Sequence, residues 1–495
     1  MSWYTIFTLA LYFIVMLGIG LYAYRKATSD LSGYMLGGRS LPPSVAALSA
    51  GASDMSGWIL MGLPGAMFVS GFSSSWIGLG LMLGALFNYL VVAPRLRVYT
   101  EVAGDALTVP DYFAKRFEDN SHVLRIVAST VIVIFFTLYT SSGLVAGGKL
   151  FESSFGLDYT TGIMVTGAVV VAYTLFGGFL AVSLTDFVQG CIMFVAIILV
   201  PVIAFTEFDS LTEMNQLIAS TNPEFFNWFE GLTALAIISS MAWGLGYFGQ
   251  PHIIVRFMAL RSIKDMPAMR RIGMGWMVTA LIGALATGYT GLAYVTKFNY
   301  PLNDAETIFL FFSNVLFHPL ITGFLLAAIL AAIMSTISSQ LLVSSSSLTD
   351  DFYKLFIKKD ASDTQLVFVG RICVLTVAIV AGALALDRNS TILSLVSNAW
   401  AGFGAAFGPL VIFSLYWKKM SKNAAIAGMV SGAVTVLIWI YAPIQINGAS
   451  LGSYVYEIVP GFIVSSLTIW AVSKYAPEQN KDVLAKFDEV ETSFK

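Results

Sequence analysis

The run ALSAGASDMSGWILMGLPGA, residues 47–66, places an acid, Asp54, and three serines, Ser49, Ser53 and Ser56, inside a stretch that is otherwise apolar. Gly51, Gly57, Gly62, Pro64 and Gly65 weaken the helix around them. Glycine tolerates unusual torsions, Ser and Asp offer competing hydrogen bonds, and proline removes a backbone donor. In hydrocarbon, irregular backbone survives only where protein or a water-filled cavity surrounds it. The run therefore reads as a helix that breaks near residues 52–57 and frees carbonyls beside an acid. The competing reading is a kinked structural helix with a neutral, hydrogen-bonded Asp54. Acids at membrane depth mark ion or substrate paths, which favours the break.

A second interrupted run, SSMAWGLGYFGQPHIIVRF (239–257), crowds Gly244, Gly246, Gly249 and Pro251 into its middle. Trp243, Tyr247 and Pro251 stand at i, i+4 and i+8, along one face of a helix. An indole and a phenol one turn apart can wall a small ligand, the rings attracting a cationic amine and the hydroxyl supplying a hydrogen bond. Ordinary helix packing explains the same spacing. A third run, LAAIMSTISSQLLVSSSS (330–347), carries Ala332, Ser335 and Thr336 on adjoining faces of one turn. Sodium prefers oxygen ligands, and freed carbonyls with neutral hydroxyls suit it. The Ala52, Met55 and Ala332 carbonyls with the Ser335 and Thr336 hydroxyls make five such oxygens. Taken alone, serines bonding back to their own helix account equally well for this run.

These residues need apolar elements to hold them. Of the 495 residues, 57% are hydrophobic and 11% charged, against about 25% charged in soluble domains. Apolar runs long enough to cross a membrane give about thirteen spans: 3–24, 41–66, 72–94, 123–151, 160–176, 183–206, 231–256, 272–296, 320–348, 368–386, 391–415, 423–442 and 455–473. The segment NDAETIFLFFSNVL between the eighth and ninth reads as a short helix outside the membrane. The first span lacks a basic n-region and is expected to be retained. All but three of the 27 basic residues fall in alternate loops; the exceptions are Lys149, Lys297 and Arg388. Arg256 is counted among the loop residues. Basic loops face the cytoplasm, so the N-terminus is expected outside and the C-terminus inside. Scattered loop charges give no nucleic-acid footprint. Cys191 and Cys373 lie in spans, and three unclustered histidines suit no structural metal. No nucleophile–base constellation points to an enzyme.

The broken spans are the second and the seventh, five apart. Paired breaks in corresponding positions point to a transporter with inverted repeats. The expected architecture is all-α, with spans 2–6 repeated upside down as 7–11. The boundaries are an extra helix and first cytoplasmic loop (1–40), the first repeat (41–206), an extracellular loop (207–230), the second repeat (231–415), two extra helices (416–473) and a cytoplasmic tail (474–495).

The motifs GYMLGGRSLPPSVAALSAGASDMSGWILMGLPGA, LYTSSGLVAGGKLFESSFG, GGFLAVSLTDFVQG, AWGLGYFGQPHIIVRFMA and AAIMSTISSQLLVSSSSLTDDFY together resemble the sodium/solute symporter family, and within it the bacterial proline-type members, over about residues 30–440. The resemblance implies a LeuT-type core with alternating access, sodium-coupled uptake of L-proline, no cofactor beyond Na+ as the coupling ion, and a monomer sufficient for transport. It places sodium on the same five oxygens, of Ala52, Met55, Ala332, Ser335 and Thr336. Asp54 matches the acid required for sodium coupling. Ser56 and Gly57 match positions near the substrate, and Tyr139, Trp243, Tyr247 and Pro251 match the proline-side face. Asp186 matches an acid near a helix end, for which structural and ion-release roles are both open. Arg39 matches a family arginine, a cytoplasmic gate or anchor, although positive-inside placement also predicts an arginine there.

Overall fold

The computed structural model describes all residues except 1, 27–35, 177, 230, 388–389 and 495. Arg388 and Lys495, assigned to opposite sides above, and the first residues of the GYMLGGRS and GGFLAVSLTDFVQG motifs lie outside the described residues. The helices in chain order are α1 (Trp3–Lys26), α2 (Pro43–Asp54), α3 (Leu63–Ser70), α4 (Ser75–Phe87), α5 (Ala93–Val102), α6 (Val109–Arg116), α7 (Val123–Phe155), α8 (Tyr159–Phe176), α9 (Phe179–Phe205), α10 (Leu211–Thr221) and α11 (Ala234–Met241). They continue with α12 (Pro251–Ala259), α13 (Met266–Phe298), α14 (Ile308–Val315), α15 (Pro319–Ser346), α16 (Asp363–Leu384), α17 (Ile392–Tyr416), α18 (Lys422–Tyr441), α19 (Leu451–Tyr454), α20 (Ile458–Tyr475) and α21 (Lys481–Thr492). One two-residue hairpin, Gln445–Ile446 with Ala449–Ser450, is the only sheet among the described residues.

Among the described residues, ten helical stretches are long and apolar enough to cross a membrane. Three of the expected spans do not count separately. α3 and α4 belong to one helical stretch, Trp58–Val102, that turns at Gly71 (φ 62, ψ −150), while the part of α8 at 159–172 and the broken segment at 234–249 are shorter than a full crossing. The prolines mark restarts. Pro43, Pro64, Pro94, Pro251 and Pro319 stand in the first turn of α2, α3, α5, α12 and α15, where a missing N–H costs nothing.

Both breaks are present. α2 stops at Asp54; Met55 leaves the helical region (φ −83, ψ 78) and the chain resumes as one wide π-helical turn, Trp58–Gly62. α11 passes into a 3₁₀ segment, 242–249, and Gln250 is extended (φ −80, ψ 107) before α12 begins. Glycines allow this second break to lie close to its neighbours. α4 crosses it backbone to backbone, and a side chain at Gly80, Gly84 or Gly244 would collide with the opposing main chain. This is the small-residue contact that lets membrane helices approach. A methyl at Gly246 would enter the Trp400 indole in the same way.

α9, α13 and α15 surround α2, while α7 and α17 pack together beside α15 and the 3₁₀ segment. α1 lies outside this core on α9 and α15, tied by the Thr5 hydroxyl donating to the Pro319 carbonyl (3.0 Å). The loop at 207–230 contains helix α10, which the sequence reading left unassigned.

The tail likewise forms a helix. Val483, Phe487 and Val490 of α21 are buried, and Arg116 lies over the Phe487 ring. Ion pairs run from Glu491 to Arg95, from Asp488 to Lys418 and from Lys486 to Glu118. Lys486 holds the Glu118 carboxyl below its usual range.

Candidate functional site

The break after α2 leaves carbonyls that other elements then satisfy. The Ala52 carbonyl accepts the Ser335 hydroxyl at 2.7 Å and the Thr336 hydroxyl at 3.4 Å, both from α15. Ser335 also lies 3.3 Å from the Ala332 carbonyl. Four of the five oxygens expected around sodium therefore converge where α15 passes the end of α2, and Met55, bearing the fifth, occupies the break itself. This donor set is neutral and oxygen-only, which suits a hard monovalent cation.

The Asp54 carbonyl accepts the Trp58 indole N–H (3.1 Å) and the Tyr139 hydroxyl (3.1 Å). Its carboxylate Oδ2 accepts the Tyr247 hydroxyl at 2.6 Å, while Oδ1 is buried with no donor. The Ser56 hydroxyl is likewise buried and unpartnered. Asp54 thus joins the first break to α7 through Tyr139 and to the second break through Tyr247. Gly57 lies against α7, where an added methyl would meet Ala146 at 2.8 Å.

The expectation that Trp243, Tyr247 and Pro251 share one helix face is corrected. A 3₁₀ helix turns every three residues, so an i, i+4 pair no longer stacks. Trp243 stacks on Tyr456 (5.3 Å between centroids). Tyr247 faces Asp54, with its ring edge-on to Trp400 at 5.0 Å, and Pro251 starts α12. Trp400 fastens the segment by donating to the Trp243 carbonyl (2.7 Å).

Asp186 lies within α9 and is fully buried; its Oδ2 accepts from Ser49 (2.8 Å) and from Arg256 (3.1 Å). Arg256 is not a loop residue, as its position in the sequence implied, but a buried residue of α12. It also donates to Ser49 (3.0 Å), Ser339 (2.8 Å) and the His252 carbonyl (2.7 Å). The signal for Arg256 was an arginine inside the apolar run HIIVRFMA, and it was masked by counting all basic residues towards loops. Lys149 is similarly buried within α7, and it pairs with Glu306 and Asp304 at 2.8 Å each.

Contacts close the chain around Asp54 on both sides. At the end bearing the basic loops, Leu41 N–H donates to Ala259 (3.2 Å) and Arg261 N–H to Leu41 (3.0 Å). Arg39 fastens this seam by donating to the carbonyls of Met258 (2.9 Å) and Ala106 (2.8 Å) and to the Thr100 hydroxyl (3.1 Å). Burial lowers its pKa. At the other end Glu306 pairs with Lys149 and accepts the first N–H groups of α17, from Ile392 (3.0 Å) and Leu393 (3.2 Å). A cavity of about 20 Å³ lies beside Asp54, Met55 and Tyr247, room for about one water.

The chain is similar over nearly its whole length to transporters of known family. It is 58% identical over 467 residues to the osmoregulated proline transporter OpuE of Bacillus subtilis, covering 94% of each chain. It is 55% identical over 494 residues to sodium/proline symporter 2 of Staphylococcus saprophyticus, covering 99% of this chain and 96% of the other. Among solved structures, a Na+-coupled sialic acid symporter superposes with TM-score 0.80 at 20% identity, over 97% of this chain and 99% of that one. The likeness shows a shared fold, the LeuT-type core. A model of the Sodium:solute symporter family matches residues 34–432, and the chain belongs to that family.

Proposed function

We propose that this protein is a symporter that takes up L-proline with sodium across the bacterial cytoplasmic membrane by alternating access. The observation that supports it most is the meeting of the Ala52 carbonyl with the Ser335 and Thr336 hydroxyls at a helix break, in a chain over half identical to a proline transporter and to a sodium/proline symporter. Ala52, Met55, Ala332, Ser335 and Thr336 bind the ion. The Ser335 and Thr336 protons, now aimed at Ala52, rotate away so that the hydroxyl oxygens face the cation. Sodium then bridges α2 and α15 in place of these hydrogen bonds. Coupling requires the ion to bind the two states unequally, and a bridge that exists only when these helices are apposed does so.

Proline is a compact zwitterion with an apolar ring. The unpartnered Ser56 hydroxyl, the close-packed backbone at Gly57 and the rings of Tyr139, Trp243 and Tyr247, with Pro251 at the start of α12, form its site. Asp54 and Asp186 serve the coupling, and Arg39 anchors the cytoplasmic seam. The N-terminus lies outside and the tail helix inside, and one chain is sufficient. One charge moving inward gains about 2.3 kcal/mol per 100 mV. A tenfold sodium gradient adds roughly 1.4 kcal/mol, so one ion sustains a solute gradient of several hundredfold.

The test is uptake of labelled L-proline into proteoliposomes with and without an inward sodium gradient, against unlabelled competitors. Uptake indifferent to sodium, or another solute competing far better than proline, overturns the proposal. Ser335→Ala and Thr336→Ala are each expected to weaken apparent sodium affinity about tenfold, the loss of about one ligand hydrogen-bond equivalent, at unchanged protein level. An unchanged sodium titration in both variants removes α15 from the ion site. Trp243→Ala and Tyr247→Ala are expected to raise the half-maximal proline concentration roughly tenfold or more, since an aromatic wall supplies about 1.5–3 kcal/mol. Sodium dependence should move less, and unaltered proline affinity would place the cavity elsewhere.

A further inference from the structure

Where the first turn of α7 meets the end of α15, a polar cavity of about 500 Å³ opens that transport does not use. α15 does not simply stop there. It continues through residues 347–357 as a π-helix, a wide form that is rare at this length and frequent at functional sites. Four cationic side chains line the cavity, Lys115, Arg125, Lys354 and Lys359, together with His122. Two of the four are already compensated. Asp111 pairs with Arg125 at 2.6 Å and Lys115 at 2.9 Å, and Asp351 meets Arg125 from behind at 3.0 Å. Lys354 and Lys359 make no close ion pair among the described residues, although Lys354 is near enough to act on the Asp350 carboxyl. Asp350 is the one remaining acid on the wall; it is half-buried and its Oδ1 has no donor.

The uncompensated set is thus two ammonium groups and an imidazole facing one carboxylate. A singly charged phosphodiester that also carries a hydroxyl donor satisfies every member of it. A doubly charged phosphate would be opposed by Asp350. The surface beside the cavity is apolar: Val123, Phe356 and Ile357 are 39%, 62% and 73% exposed. They stand at the ends of two membrane-spanning stretches, where acyl chains begin. Basic pockets between spanning helices are sites for phospholipid headgroups.

We propose that this cavity holds the headgroup of an anionic phospholipid. Its phosphate lies on Lys354 and Lys359, its headgroup hydroxyl donates to Asp350, and its chains lie over Val123, Phe356 and Ile357. The probe is phosphatidylglycerol, with phosphatidylcholine as the lipid control and excess inorganic phosphate as the soluble-anion control. Lipid retention is read by native mass spectrometry of the detergent-purified chain, alone and with Lys354→Gln/Lys359→Gln. The wild type is expected to retain one phosphatidylglycerol roughly tenfold more strongly than the double variant, each juxtamembrane lysine contributing a severalfold factor. Phosphatidylcholine should not distinguish the two, and inorganic phosphate should not displace the bound lipid. Asp350→Asn is expected to let inorganic phosphate compete. Proline uptake by the double variant in phosphatidylcholine vesicles serves as the folding check and should match wild type. Equal retention of phosphatidylglycerol by wild type and variant overturns the site, and ready displacement by inorganic phosphate reassigns it to a soluble anion.

Discussion

Asp54→Asn is expected to lose most sodium-stimulated uptake while the protein still inserts and folds. The asparagine oxygen can still accept the Tyr247 hydroxyl, which now lies 2.6 Å from Oδ2, so the join between the two broken segments survives. What disappears is a negative charge within a turn of the Ala52 carbonyl. A nearby carboxylate, at an effective dielectric constant of about 20, contributes on the order of 2 kcal/mol to holding a sodium ion, roughly thirtyfold in apparent sodium affinity. Tyr247→Phe makes the complementary change, keeping the charge and removing the hydrogen bond. It should alter proline affinity more than sodium affinity. The measurement is a sodium titration of proline uptake for both variants at matched protein levels. An asparagine variant with wild-type sodium affinity would leave Asp54 a structural acceptor only.

The two broken helices were legible in the sequence because a membrane interior tolerates glycine, proline and an acid together only where something surrounds them. That constraint located Asp54 and the second break without reference to neighbours. The turn bearing Ala332, Ser335 and Thr336 was legible only as a possibility, since serines at 344–347 have the same local chemistry; what separates Ser335 from them is the Ala52 carbonyl, 283 residues away in sequence. Helical periodicity failed at Trp243 because the same glycines that signalled the break also tightened the segment into a 3₁₀ helix and rotated the indole onto Tyr456. Arg256 and Lys149 were misread for the opposite reason. A rule that counts charges by loop has no way to recognise one that is neutralised inside, and the partners Asp186 and Glu306 are distant in sequence. The tail helix was missed because its apolar face, Val483, Phe487 and Val490, is short and interrupted by charge.

The buried pair that the sequence concealed should produce the largest stability effect in the molecule. Arg256 and Asp186 are 1% and 0% exposed, and the guanidinium also holds Ser49 of α2 and Ser339 of α15. Ser49 precedes Ala52 by one turn, and Ser339 follows Ser335 by one turn. The ionic knot therefore lies next to the contact proposed for sodium, on the same two helices. Removing one partner of a buried pair strands the other charge, at about 3–5 kcal/mol. Arg256→Gln and Asp186→Asn are each expected to lower the thermal unfolding midpoint sharply and to reduce the amount of protein in the membrane. The double variant, neutral and still hydrogen-bonding, should recover most of that stability, because it leaves no uncompensated charge. Its uptake should recover less. The knot also ties α12 to α2 near the seam between Leu41 and Ala259, which must part when this end opens, and an amide pair would hold that end closed more weakly than an ion pair. Thermal unfolding in detergent, read beside sodium-driven uptake, separates the two roles. Single variants with unchanged midpoints would refute the stability argument, and a double variant restored fully in both readouts would reduce the pair to scaffolding.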